Sequence, residues 1–482
     1  MKQLRVTSYS LWYVIFLISC CSAKDWNFYK KNLQQPTRTL QLPLHVQFFG
    51  TIRNDTAWNS RSYLPGFVTD LSAWVPTDEI GLDDILVFEP GNLAQRPLAS
   101  IVNIAPLIGV KISGPPSTIF EYYAYVDSEF VPFGTYLTTA WFFPSITTLL
   151  NTKFLVNWAF VEGIIHPQKV DDHCHSLLIG QFTHPLATTI TFPRIVGYSQ
   201  GAPIVPFALN PQIRYSFGRK GWTTKLTLYT EAQYQDAGFE PSYLSSTYIR
   251  LGLIPGTNLT IEYADDTLIF GAGINIQRIV PRIAYTYPIA FDATSTTNKR
   301  YAAKESLVSI NGNLYGMYEI STIRTKWQWL LGQNGESWGN AFGYGVTRRD
   351  DIGGFAYKNM LFTTMWIDLE TRCPDSANLQ PGLFLGYMTL LRAPSKLGRD
   401  CNGCVILPEF SPLNYFYNLS TGYHSVVKVS PRCWWYYHPN FHIGFEIDYT
   451  SIVSANTDPC GNSLNSSPSQ LLRFVVSTQY NF

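Results

Sequence analysis

Two short stretches carry residue types that could bind a metal. "DHCH" (172 to 175) places His173, Cys174 and His175 together, and "CNGC" (401 to 404) places Cys401 and Cys404 at Cys-x2-Cys spacing. Two thiolates with His or Cys partners would complete a tetrahedral zinc site if the stretches met. No spacing links them, so no metal is assigned. Cysteines of an exported chain oxidise, and Cys174, Cys373, Cys401, Cys404, Cys433 and Cys460 are expected to form disulfides, with free thiols as the other state and the pairing open. Asp265-Asp266 imitates a catalytic carboxylate pair but lies between alternating stretches at 259–263 and 268–276, where a turn is expected. No Gly-x-Ser-x-Gly, His-Glu-x-x-His or Walker loop is present. No catalytic residue and no cofactor is assigned, and the chain is read as no enzyme.

The remaining chemistry is that of charge placed at alternate positions. Arg53, Arg214, Lys225, Arg250, Arg282 and Lys326 stand opposite apolar neighbours such as Ile213, Tyr215, Ile249, Leu251, Trp327 and Trp329. Glu231, Glu262, Asp368, Glu446 and Asp448 fall on the same kind of face. Arg or Lys at the bilayer midplane on a lipid-facing surface costs about 2–4 kcal/mol, so these charges belong in a lumen or at its rim. Rows of opposite sign facing each other would make a solute filter. The alternative is a structural network that only satisfies buried charge.

These charges ride on strands. Alternation of period two runs through "PLHVQFFGTIR", "KLTLYTEAQY", "TNLTIEYA", "LFTTMWIDLE" and "FHIGFEIDYT", and each apolar face is free of charge. Only 14% of the 482 residues are charged, 15% are aromatic, and mean hydropathy is −0.02. A soluble sandwich would carry more surface Lys and Glu. A helical membrane protein would be far more apolar, and after the first residues no run approaches the ~18 that a membrane helix needs. The net charge of +1 gives no field for nucleic acid. The pattern fits an all-β transmembrane antiparallel barrel, with one face to lipid and one to a polar lumen. At about 25–30 residues per strand and outer loop, roughly 16–18 strands are expected. Residues 54–100, 165–175 and 393–412 read as long loops, and the stretches at 54–100 and 165–211 are the candidates to fold inward as a constriction. The basic start, short apolar core and small residues of 1–23 read as an export signal cut after Ala23, with lipidation of Cys20 as the rival reading. A short periplasmic segment, 24–42, and the barrel, 43–482, follow.

The stretch "QLLRFVVSTQYNF" alternates up to Phe482. A last strand that closes a barrel cannot fray, which accounts for a pattern that runs so far. Phe474, Tyr480 and Phe482 form an aromatic row resembling the signal read by outer-membrane assembly machinery.

"GVKISGP" (109 to 115), "GQFTHP" (180 to 185), "FP" (192 to 193), "GAPIVPF" (201 to 207) and "NPQIRYSF" (210 to 217) follow one another in an order that resembles DcaP-type porins and related barrels of Gram-negative outer membranes. The likeness extends back to "WNSRSYLPG" (58 to 66) and on to "YADDTLIFGAGINIQRIVPRI" (263 to 283). It implies a homotrimeric barrel in outer-membrane lipid that passes small hydrophilic, often anionic solutes. The chain departs from the pattern in lacking the long coiled-coil extension of some members and in reading "YAYVDSEF" where an acidic, Gly-bounded strand is expected. Two other readings compete: a structural or adhesive surface barrel with a plugged lumen and partner-binding loops, and a soluble exported β-protein.

Overall fold

The computed structural model describes residues 44–60, 63–64, 75–76, 98–102, 107–114, 120–132, 152–165, 173–188, 192–197, 201–206, 208–230, 254–280, 284–288, 298–302, 306–335, 343–349, 355–371, 378–392, 423–454 and 468–482. The export signal with Cys20, the segment 24–42, Glu231, Arg250, Arg282, Cys373, Cys401, Cys404 and Cys460 lie outside the described residues.

Sixteen strands close into one antiparallel barrel. In chain order they are β1 (His45–Asn59), β2 (Leu107–Ser113), β3 (Phe120–Pro132), β4 (Thr152–Ile165), β5 (His173–Thr183), β6 (Leu209–Arg219), β7 (Trp222–Tyr229) and β8 (Gly256–Ala264). They continue as β9 (Leu268–Ile279), β10 (Leu307–Ile320), β11 (Ile323–Gln333), β12 (Leu361–Thr371), β13 (Leu379–Arg392), β14 (Tyr423–His438), β15 (Phe441–Ser454) and β16 (Ser469–Asn481). Each pairs with its neighbour in sequence, and β1 closes the ring against β16. β1 serves two neighbours along its length. His45 to Thr51 pair with β2, Asp55 to Asn59 pair with a separate piece, Leu98–Val102, and Thr51 to Asn59 pair with β16 on the other side. Small antiparallel hairpins in the long connections pair Tyr63–Leu64 with Val75–Pro76, Ala284–Pro288 with Asn298–Ala302, and Tyr344–Arg349 with Phe355–Asn359.

Alternation decides which face each residue takes. Phe48 is 72% exposed and points outward with Val46 and Ile52, whereas Arg473 is 2% and Asp368 0% exposed on the inner face. Ile213, Ile261, Ile310, Phe445 and Val476 continue the outward apolar surface around the ring. Apolar surface on that scale is incompatible with water, so the barrel is a transmembrane one and the soluble reading fails. Trp222, Tyr318, Trp435, Tyr437 and Tyr480 are outward and exposed near the end with short connections, where an aromatic girdle belongs.

The short connections use ordinary turn chemistry. Lys220 and Gly221 both have positive φ (48° and 82°) in the two-residue turn between β6 and β7, which matches the right-handed twist of its strands. The β8–β9 turn is organised by Asp265, whose carboxylate accepts hydrogen bonds from the backbone N–H of Thr267 (2.9 Å) and Leu268 (2.8 Å). Those two donors hold its pKa below the usual carboxylate value.

Two loop expectations and the disulfide expectation need correction. β1 extends to Asn59 and thus into the supposed loop 54–100, because its in-register partners on β16 continue to Arg473. The stretch 165–175 is a connection only between Ile165 and His173, since His173 and His175 already pair with Arg219 and Phe217. Cys174 and Cys433 are free thiols rather than disulfide partners. They stand on β5 and β14, far apart around the ring. The alternation also splits "DHCH", because neighbouring residues of a strand take opposite faces and Cys174 cannot share one with His173 and His175.

The seam ends on Phe482, whose N–H donates to Gly50 C=O (3.0 Å) and whose C=O accepts from Gly50 N–H (2.9 Å). A Cβ on Gly50 would lie 2.4 Å from the Phe482 ring, so the ring rests where only glycine fits. Deleting Phe482 removes both bonds, each contributing about 1 kcal/mol net. The expected result is a smaller folded, heat-modifiable fraction on gels after refolding into detergent. An unchanged fraction would contradict this role for the seam.

Candidate pore constriction

Between β5 and β6 the chain turns into the barrel. The described pieces 184–188, 192–197 and 201–206 lie against the inner wall formed by β11 to β15, across the ring from the strands that carry them. Leu186, Ile195, Ile204, Val205 and Ala208 pack on Leu330, Phe362, Trp366, Phe384, Met388, Val426 and Ile452. This is an apolar core inside the lumen. It explains how inward positions such as Phe362 and Phe384 are tolerated at 0% exposure on a face that is otherwise polar.

Polar anchors fix the segment in register. Gln328 Nε2 donates to Leu186 C=O (2.7 Å), Lys326 Nζ to Phe192 C=O (3.2 Å) and Thr364 Oγ1 to Ile204 C=O (2.7 Å). Asp368 accepts the Arg194 N–H (3.0 Å), and one Glu446 oxygen accepts the N–H of both Val196 (2.5 Å) and Gly197 (3.2 Å). The Arg53 guanidinium donates to Val196 C=O and pairs with Asp55 (2.7 Å). Arg194 lies over the rings of Trp434 and Tyr436 and donates to Gln380 (3.1 Å). Buried backbone groups of an irregular segment need such partners, because little water reaches them.

The charged residues expected on the inner face therefore divide into two sets. Arg53, Lys326, Asp368 and Glu446 hold the segment, while Asp448 forms a buried ion pair with Lys428 (2.8 Å). Around them the signs alternate from strand to strand. Lys326 on β11 lies near Glu370 on β12 (3.4 Å), and Arg432 on β14 reaches Asp368 on β12 (2.6 Å). Arg432 does so by crossing β13 at Gly382, directly opposite it, where a Cβ would lie 2.8 Å from the guanidinium carbon.

Arg214, Lys225 and Glu262 stand apart from the anchors, on β6 to β8. They line a pocket with Phe182, Pro185 and Tyr315 at the root of the segment. Lys225 Nζ pairs with Glu262 Oε1 (3.0 Å), and Tyr315 Oη donates to Glu262 Oε2 (2.6 Å) by crossing β9 at Gly271. Arg214 donates to neutral acceptors, Gln212 Oε1 (2.9 Å) and Thr183 C=O (3.5 Å), and its guanidinium lies over the Phe182 ring at 4.9 Å.

Several residues of the site escape sequence reasoning. Lys428 and Arg432 are inward by the same parity as the assigned charges and were legible from it. Arg194 lies in an aperiodic stretch, where no pattern marks it. The aromatic row Phe474, Tyr480 and Phe482 faces outward.

No protein-family profile and no curated protein matches the chain. Solved structures do. The outer membrane channel DcaP of Acinetobacter baumannii superposes with a TM-score of 0.58 at 10% identity, covering 93% of this chain and 99% of that one. The chain has the fold of that channel. The anion-selective porin of Comamonas acidovorans (TM-score 0.49, 8% identity, 91% and 100% covered) and OmpF of Salmonella typhi (0.47, 10%, 91% and 97%) are also similar.

The anchor with the clearest consequence is Glu446. Glu446→Ala leaves the Val196 and Gly197 N–H groups without their acceptor, at about 1–3 kcal/mol for each buried donor. Hydrogen exchange at those two amides should quicken roughly 30-fold, which is about 2 kcal/mol, while the amides of β15 stay protected. Glu446→Gln keeps an acceptor oxygen and should behave nearly as the unaltered protein. Equal exchange in Glu446→Ala would remove Glu446 from the anchoring role.

Proposed function

We propose that the protein is an outer-membrane channel for passive diffusion of small hydrophilic solutes, with a preference for anions. The observation that carries this reading is the inner segment: a transmembrane barrel with a polar inner wall holds an irregular stretch across its lumen by named anchors, which narrows the bore. The fold shared with the DcaP channel supports it.

The anion preference rests on Arg214. Lys225 is offset by Glu262, whereas Arg214 bonds neutral acceptors beside the pocket. A guanidinium offers rigid, paired donors that suit a carboxylate or phosphate. Glu231, Arg250 and Arg282 belong to the same proposed filter. The resemblance adds a homotrimer and delivery by the outer-membrane assembly machinery through an export signal. Selectivity by fixed charge needs no bond chemistry, so the reading assigns no catalytic residue.

The plugged, adhesive barrel remains the rival because the same segment packs an apolar core across the lumen. Planar bilayers separate the two. The channel reading expects discrete current steps and a reversal potential favouring Cl⁻ in a KCl gradient. Arg214→Ala should move that potential toward K⁺. A folded, inserted barrel that passes no current rejects the channel, and an unmoved potential rejects Arg214 as the source of selectivity.

A further inference from the structure

Among the described residues, a part of the inner wall outside the clusters that seat the segment is aromatic. Phe49 on β1, Tyr123 and Tyr125 on β3, Trp158 and Phe160 on β4 and Phe182 on β5 touch in sequence. Ring centroids lie 5.1 Å apart for Phe49–Tyr125, 5.5 Å for Tyr125–Phe160, 5.6 Å for Tyr125–Trp158 and 5.0 Å for Phe160–Phe182. None of the six belongs to either apolar cluster that seats the segment, and all but Phe160 are half-buried. The row also climbs the bore. Tyr123 and its neighbour Glu162 are near the short-connection end of their strands, whereas Phe182 stands beside the root of the segment. From Glu162 to Trp158 the climb is about 13 Å at ~3.3 Å per residue.

Polar groups accompany the rings. Tyr123 Oη donates to Glu162 Oε2, and Tyr125 Oη donates to Asp127 Oδ2 (3.0 Å). Lys111 Nζ lies 5.0 Å over the Tyr123 ring at the lower end, and Arg214 lies 4.9 Å over Phe182 at the upper end. Half-buried aromatic rings accompanied by an acceptor, Glu162, and two cations match a ligand that has an apolar face and a rim of hydroxyls. An aromatic carboxylate would meet the two cations but be repelled by Glu162, whereas Asp127 is buried and already accepts from Tyr125 Oη and the Trp158 N–H. A hydroxyl both donates and accepts, so it suits Lys111, Arg214 and Glu162 alike.

We propose that this lane binds pyranose rings, so that saccharides are among the solutes the barrel takes up. The proposal rests on the channel reading for its passage but not for its binding. The test uses cellobiose, with sorbitol (hydroxyls but no ring face) and benzoate (a ring with a carboxylate) as comparisons. In planar bilayers, cellobiose should interrupt the open current in a concentration-dependent way and sorbitol should not. Tyr125→Leu should raise the half-blocking concentration about tenfold, and Phe49→Leu, at the edge of the lane, is a second variant. Saturation-transfer NMR on refolded protein in detergent reads binding without any current. Transfer to cellobiose that weakens in the variants supports the lane even in a silent barrel, and there only the channel reading fails. Current without cellobiose block or transfer overturns the lane. Block by benzoate alone, or equal cellobiose block in both variants, overturns it as well.

Discussion

Hydrocarbon offers no partner for a backbone N–H or C=O, and that constraint organises the molecule. A sheet in lipid has to leave no edge. β1 meets the requirement by pairing on both sides, with β2 and Leu98–Val102 on one flank and β16 on the other. Once the ring is closed, every strand residue has one of two environments. Lipid takes the side chains of one parity and the lumen takes the rest. The low charge content, the uncharged outward rows and the inward ion pairs are consequences of that single division.

The lumen then inherits a problem of its own. Its wall carries buried charges, and a lone buried charge is costly. The solution is alternation of sign around the ring: Lys326, then Asp368 and Glu370, then Lys428 and Arg432, then Glu446 and Asp448. Two glycines extend the reach of this network. At Gly382 and Gly271 the inward side chain is missing, so Arg432 and Tyr315 pass over one strand to carboxylates on the next. Substituting either glycine with a β-branched residue would break a contact between the two strands that flank it. The loss would not be visible in the immediate neighbours on the chain.

Much of this was legible because a strand has a period of two. The inward placement of Arg53, Arg214, Lys225, Glu262, Lys326, Asp368, Glu446 and Asp448 follows from counting residues. So does the outward row ending at Phe482. What counting cannot give is the third dimension. Nothing local tells that Glu446 meets Val196, because 250 positions separate them and the meeting depends on the segment 184–206 crossing the bore. Arg194 escapes for the same reason. The extension of β1 past Asn54 was hidden because Asn54 and Thr56 are polar at outward positions, and only the register with β16 reveals the strand. The free state of Cys174 and Cys433 likewise depends on where the closed ring puts them.

The division of inner charges into two sets is the feature that parity conceals most. Counting treats Arg53, Lys326, Asp368 and Glu446 as equal to Arg214, yet the first four spend their hydrogen bonds on the backbone of the segment. A charge so engaged has little of its field left for a passing ion, because its partner dipoles and counter-charges surround it. Arg214 spends its hydrogen bonds on Gln212 and Thr183 instead, with Glu162 and Glu262 acting on it, and it stands where the segment leaves the wall. The anchors of the segment and the Arg214 side of the lumen are thereby separated in space. One side of the lumen clamps the segment with alternating charge and an apolar core. The other carries the aromatic row, with Lys111 over Tyr123 and Arg214 over Phe182.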